Sequence, residues 1–193
     1  MAKSDSEARE KVIAIADRLF SERGYKAVML TEIAAEVGVR HPSLYHHFPK
    51  GKEQLYVEVM ERNLKHHQLG LEQSITGAQP EIRSQLLAAA EWFLSQPPMD
   101  LMRLIHSDMP AINPAAAKRL VDLSYVALML PIKTILEEAV RRGEIAESRL
   151  DVLAGSIVGM IEQLYAVPRA SHSDRLEMAH FLINSLLNGL YKR

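Results

Sequence analysis

Residues 41–52 read HPSLYHHFPKGK, and they crowd together three histidines, two lysines, a serine and a tyrosine around two apolar anchors, Leu44 and Phe48. Across 37–52 Arg40 joins them, and no acid occurs in that stretch. Imidazole, hydroxyl and phenol groups give and take hydrogen bonds, while lysine and arginine bind anions. The set suits a reader of one anionic feature. Metal and catalytic chemistry fit less well. His46-His47 and His66-His67 are adjacent pairs, and adjacent helical side chains diverge by about 100°, so neither pair converges on one ion. There is no cysteine to supply a thiolate or a disulfide. HExxH, a glycine-rich phosphate loop and GxSxG are all missing from the sequence. SHSD (171–174) sets Ser, His and Asp side by side, but it reads as a turn in which Asp174 or Ser173 caps the next helix. The expectation is therefore no metal, no cofactor and no enzymatic activity.

The elements that position these groups are short helices. On a helical wheel Leu44 and Phe48 lie about 40° apart and face the core. His46 points the opposite way, with Pro42 and Ser43 beside it and Tyr45 and His47 on the shoulders. Pro42 falls in the first turn, where its missing N–H costs nothing. Upstream, a helix over about 30–36 turns Ile33, Ala34 and Val37 inward and Glu32 and Glu36 outward, and Gly38 breaks it. Two helices joined through Gly38-Val39, the second polar on its outer face, make a helix-turn-helix. Such a second helix fits a DNA major groove, with its first residues at base edges and its shoulders near phosphates. Lys50 and Lys52 bracket Gly51 at a helix start, where the dipole opposes a cation. An external phosphate bound by the free N–H groups would account for them.

Helical periodicity runs through the rest. Val12, Ile13, Ala16, Leu19 and Phe20 form one stripe closed by Gly24. A long amphipathic segment follows from Lys52 to about Leu71, and QSITGAQP (73–80) reads as a linker. Further helices are predicted near 81–95, 99–106, 115–142, 149–166 and 174–190, with a kink or break at Pro131. Few aromatics and plentiful Ala, Leu, Glu and Arg favour helix over sheet, so the fold class is all-α. The net charge of −1 argues against a non-specific nucleic-acid coat; residues 1–53 carry nine Lys/Arg and eight Asp/Glu, so the cations are local. MAKSDSEARE lacks the apolar core of a signal peptide. The runs LSYVALMLPI (123–132) and VLAGSIVGMI (152–161) are too short to span a bilayer. A cytoplasmic protein with no membrane partner is expected.

LFSERGYKAV (19–28), TEIAAEVGV (31–39), PSLYHHFPKGKEQL (42–55) and, more weakly, RRGEI (141–145) resemble the TetR/AcrR (tetracycline-repressor) family of bacterial transcriptional regulators. The strong match covers about residues 10–60. The resemblance implies a three-helix DNA-binding head, placed at 1–53, and an effector-binding and dimerising helical body at 54–193. It points to Arg40, His41, Pro42, Ser43, Tyr45, His46 and His47 for groove and backbone contacts, with Lys52 reaching a phosphate. Two departures stand out. Met29 replaces the frequent Ser or Thr that caps the second helix, and Arg40 and Pro42 replace the frequent Ser and Gly of the recognition turn.

In the body, 152–167 and 181–190 are apolar on nearly all sides and must be buried all round. Gly155 and Gly159 leave a smooth strip for a close helix, and with Leu182 and Leu186 they are the candidate dimer contacts. Trp92, Phe93, Met102, His106, Met109, Tyr125, Met129 and Tyr165 form the candidate effector set, suited to an apolar or amphipathic small molecule. Taken singly, each of them suits core packing as well. The expected function is a homodimeric repressor that binds a palindromic DNA operator and is released by a small molecule. The alternative is a helical small-molecule carrier or scaffold whose basic turn meets another protein.

Overall fold

A computed structural model describes residues 2–190. The described chain is helical, in this order: α1 (Ala2–Ala27), α2 (Leu30–Val37), α3 (His41–His47), α4 (Gly51–Gly77), α5 (Ile82–Ser95), α6 (Leu101–Arg103), α7 (Pro114–Ser124), α8 (Leu130–Arg141), α9 (Leu150–Gln163) and α10 (His172–Leu190). A widened π turn (Leu104–Asp108) and a 3-10 turn (Met109–Ala111) follow α6; a second π turn (Tyr125–Met129) joins α7 to α8. None of the described helices is long and apolar enough to cross a membrane.

Two compact units divide the chain. The first comprises residues 1–63 and 100–121, the second 64–99 and 122–193. The sequence boundary at 53/54 falls inside α4, whose early part belongs to the first unit and whose remainder to the second. Residues 100–121, assigned from sequence to the body, pack within the first unit.

In the first unit α2 packs on α1 and on α3. The apolar stripe of α1 is buried as expected, from Val12 (1% exposed) to Phe20 (3%). Gly38 ends α2 in a left-handed conformation (φ 82°) that a β-carbon would strain, and its N–H and that of Val39 close onto the Ala34 carbonyl. That sharp stop lets α3 leave at once in a new direction. Gly24 is needed twice over. It breaks α1 at φ 77°, ψ 170°, and a β-carbon there would stand 3.0 Å from Cδ of Arg103 and 3.2 Å from Oδ1 of Asp108.

In the second unit α5 packs on α8, α9 and α10. Ile82, Leu86, Ala89, Ala90 and Phe93 bury its inner face. The expected linker at 73–80 is helical as far as Gly77. Ser, Ile and Thr have middling propensity, and a helix already under way runs through them; Pro80 lies just beyond its end. The break expected at Pro131 takes a specific form. Proline removes one donor and crowds the carbonyl four residues back, and the π turn immediately before α8 makes the room it requires. Capping of α10 falls to Ser171 rather than Ser173. Its hydroxyl accepts from the Asp174 N–H (3.1 Å), while the Asp174 carboxylate accepts from the Ser171 N–H (2.8 Å), a reciprocal capping box.

Candidate nucleic-acid interface

Helix α3 presents the face expected of it. Leu44 and Phe48 are each 1% exposed and hold the helix to the core. Arg40, Pro42, Ser43, Tyr45 and His46 are exposed, and His41 and His47 are half-buried at the sides. The His41 and Tyr45 rings meet edge to face at 5.4 Å, as do those of His46 and His47, so the four rings brace one another in pairs. Arg40 caps the helix through its carbonyl, which accepts from the Ser43 N–H at 2.8 Å. No acid lies in the first turn. The surface therefore combines donors, acceptors, a cation and rigid rings on about two turns of helix.

The two lysines part company. Lys50 is exposed, and its N–H donates to the Gln54 side chain at 3.0 Å, which caps α4. Lys52, expected to reach a phosphate, is turned inward. Its ammonium donates to the carbonyls of Tyr25 (2.7 Å) and Val28 (2.9 Å) and lies 4.2 Å from the Tyr25 ring centroid. Burial holds its pKa below the ordinary lysine value, with Asp108 and Glu32 pulling the other way. Two of its three N–H donors thus satisfy orphan carbonyls at the end of α1. Met29 is 59% exposed, and its backbone N–H donates to the Glu32 carboxylate (2.7 Å).

Arg103 and Asp108 escaped the sequence reading. Arg103 donates to the carbonyls of Phe20 (3.3 Å) and Ser21 (2.7 Å). Asp108, 4% exposed, accepts from the Tyr25 N–H (3.1 Å) and the Tyr56 hydroxyl (3.2 Å). Burial, and then the Asp108 charge, push the Tyr56 phenol far up. Together the two side chains lock the Gly24 break. Only the oddity of a charged pair inside an apolar stretch, LMRLIHSDM, hinted at it.

The candidate effector residues are not gathered into one place. Met102 (57% exposed), His106 and Met109 belong to the first unit, Trp92, Phe93, Tyr125, Met129 and Tyr165 to the second. Trp92 packs on Gly70 and on His66 at 5.2 Å, and Phe93 is core. The Tyr165 hydroxyl lies 2.6 Å from the Phe93 carbonyl and 2.5 Å from that of Gln96, closing the end of α5. Tyr125 is exposed, and Met129 approaches Gly155. None of the eight lines the open cavity of about 530 Å³ in the second unit, which α4, α5, the second π turn and α8 border. Of the dimer candidates, Gly155, Gly159, Leu182 and Leu186 are half-buried, and a β-carbon on Gly159 would meet open space. The helices are not buried all round. Val152, Ser156 and Gln163 on α9, and Glu177, Phe181 and Ser185 on α10, remain exposed at helical spacing.

A helix-turn-helix whose second helix shows an acid-free outer face has the form of a nucleic-acid-binding head. A sequence profile for "Bacterial regulatory proteins, tetR family" matches residues 12–59, so the head of this chain is similar to the heads of that family. Over 57 residues it is 46% identical to the transcriptional regulator LmrA of Bacillus subtilis, covering 30% of each protein. Over 87 residues it is 36% identical to the transcriptional activator FasR of Mycolicibacterium smegmatis, covering 45% of this chain and 39% of that one. The chain thus spans well under half the length of these relatives, and the likeness is concentrated in the head. A candidate transcriptional regulator from Saccharomonospora viridis, crystallised with choline, shares the fold over 97% of this chain and 100% of its own, at 21% identity and a TM-score of 0.77.

Proposed function

We propose that the chain is a ligand-responsive repressor of the cytoplasm that binds a palindromic operator as a homodimer and lets go when a small molecule binds. The observation carrying this reading is the outer surface of α3: Ser43, Tyr45 and His46 face solvent while Leu44 and Phe48 are sealed behind them. Ser43 and His46 read base edges; Arg40, His41, Pro42, Tyr45, His47 and Lys50 contact groove walls and backbone. Lys52 acts one step back, by fixing where α4 begins.

The open stripe on α9 and α10 supports self-association, and a second copy supplies the affinity that one short recognition helix lacks. The cavity supports effector binding. Helix α4 carries cavity residues Gln68, Glu72 and Thr76 and is continuous back to Gly51, so a shift of this helix is the proposed route of coupling. In vitro selection of bound duplexes tests the reading. A palindrome with half-sites about one helical turn apart is expected. Recovery of random sequence would sink it.

A further inference from the structure

The charged groups lining the cavity are of one sign. Its lining holds two carboxylates, Glu72 and Glu138, and no lysine, arginine or histidine. Glu72 takes a hydrogen bond from the Gln68 amide (2.9 Å), and among the described residues no cation pairs with it. Glu138 is weakly held by Arg142 (3.6 Å) and Arg141 (3.7 Å). The two lining threonines spend their protons on their own helices: Thr76 donates to the Glu72 carbonyl (2.6 Å) and Thr134 to the Leu130 carbonyl (2.9 Å). A hydroxyl so committed offers only lone pairs to a guest. Gln85, 8% exposed, adds a buried amide to the wall. Ile75, Val126, Leu130, Pro131 and Ile135 supply an apolar floor.

A carboxylate or phosphate guest would meet two like charges and two hydroxyls with no proton to give, against which the lining sets only the uncharged amides of Gln68 and Gln85. An uncharged hydrocarbon would leave the acceptors desolvated and unmatched, which costs free energy. A protonated amine on an aliphatic body answers both halves of the lining. We propose that the effector of this cavity is a cationic amphiphile bearing N–H donors, its ammonium held by Glu72 and Glu138 and its body against the apolar floor. The inference rests on the reading of the cavity as the effector site.

The test measures binding to the full chain in the absence of DNA, with three probes of equal chain length below their aggregation concentrations: decylamine, decyltrimethylammonium and decanoate. Decylamine is expected to bind at least about tenfold more tightly than decanoate, with the quaternary ammonium between them because it has no proton to donate. Glu72→Gln and Glu138→Gln should each weaken decylamine several-fold, leave the thermal unfolding midpoint in place, and narrow the gap to decanoate. Decanoate binding as tightly as decylamine, or amine affinity indifferent to both substitutions, overturns the proposal. Quaternary ammonium binding as well as the primary amine removes the N–H requirement and overturns that part. A separate measurement, release of a selected duplex by decylamine, addresses the regulator reading: amine binding without release would break the proposed function and leave the cavity assignment standing.

Discussion

At the scale of single residues, burial decides what a polar group does. His67 on α4 is 5% exposed, stacks on Phe93 at 5.9 Å, and its pKa is pushed down from 6.5 to about 4, first by burial and then by neighbouring His66. The folded protein keeps this ring neutral while an unfolded chain protonates it. Its contribution is therefore complete above about pH 6.5 and drains away as pH falls toward 4, at a cost of about 3 kcal/mol. Chemical denaturation between pH 7 and 4 should show that decline, and His67→Leu should flatten it; an equally steep decline in the variant would assign the effect elsewhere. Lys52 makes the complementary case. Lys52→Ala removes two charge-assisted hydrogen bonds to main-chain carbonyls, and should lower unfolding free energy by about 1–3 kcal/mol. The salt slope of duplex binding should stay put. A slope reduced by about one unit would return this lysine to the phosphate contacts.

Helices were legible where a sharp period met a sharp stop. The recognition turn is the best instance: Leu44 and Phe48 four apart, Pro42 near the start and Gly38 upstream set both the length and the outward face of α3. The end of α4 was less so, because Ser, Ile and Thr at 74–76 neither favour nor forbid another turn. The scatter of the candidate effector residues over both units was not legible for a different reason. Soft and aromatic side chains fill cores as readily as they line cavities, and composition does not reveal which neighbour occupies the space. The cavity lining came instead from residues such as Thr134 and Glu138, whose types look like ordinary helix surface. The inward turn of Lys52 was not legible, because sequence does not say whether the carbonyls behind a helix start are already satisfied. The cap of α10 gives this scale its prediction. Ser171→Ala should cost about 1 kcal/mol in unfolding free energy, while Ser173→Ala should cost close to none; equal losses would contradict the capping box seen at Ser171 and Asp174.

For the whole molecule the question is how many copies act together. Phe181 is 69% exposed, an unusual setting for a large ring, and shares its stripe with Ser185 on α10 while Val152 stands open on α9. If that stripe is where two copies meet, Phe181→Glu should shift the protein from dimer to monomer in sedimentation equilibrium and weaken operator binding with it. A variant that remains dimeric would move the contact to another surface. One last consequence concerns the π turn at Tyr125–Met129, whose Val126 stands beside Leu130 and Pro131 in the cavity lining. A π turn holds a surplus residue relative to the α turns flanking it. Handing that surplus one step along the chain would swing the neighbouring side chains by about 100° without melting the helix. If the cavity is the effector site proposed above, its wall carries slack of its own, and guests of different girth would be fitted by ratcheting it instead of prying the bundle apart.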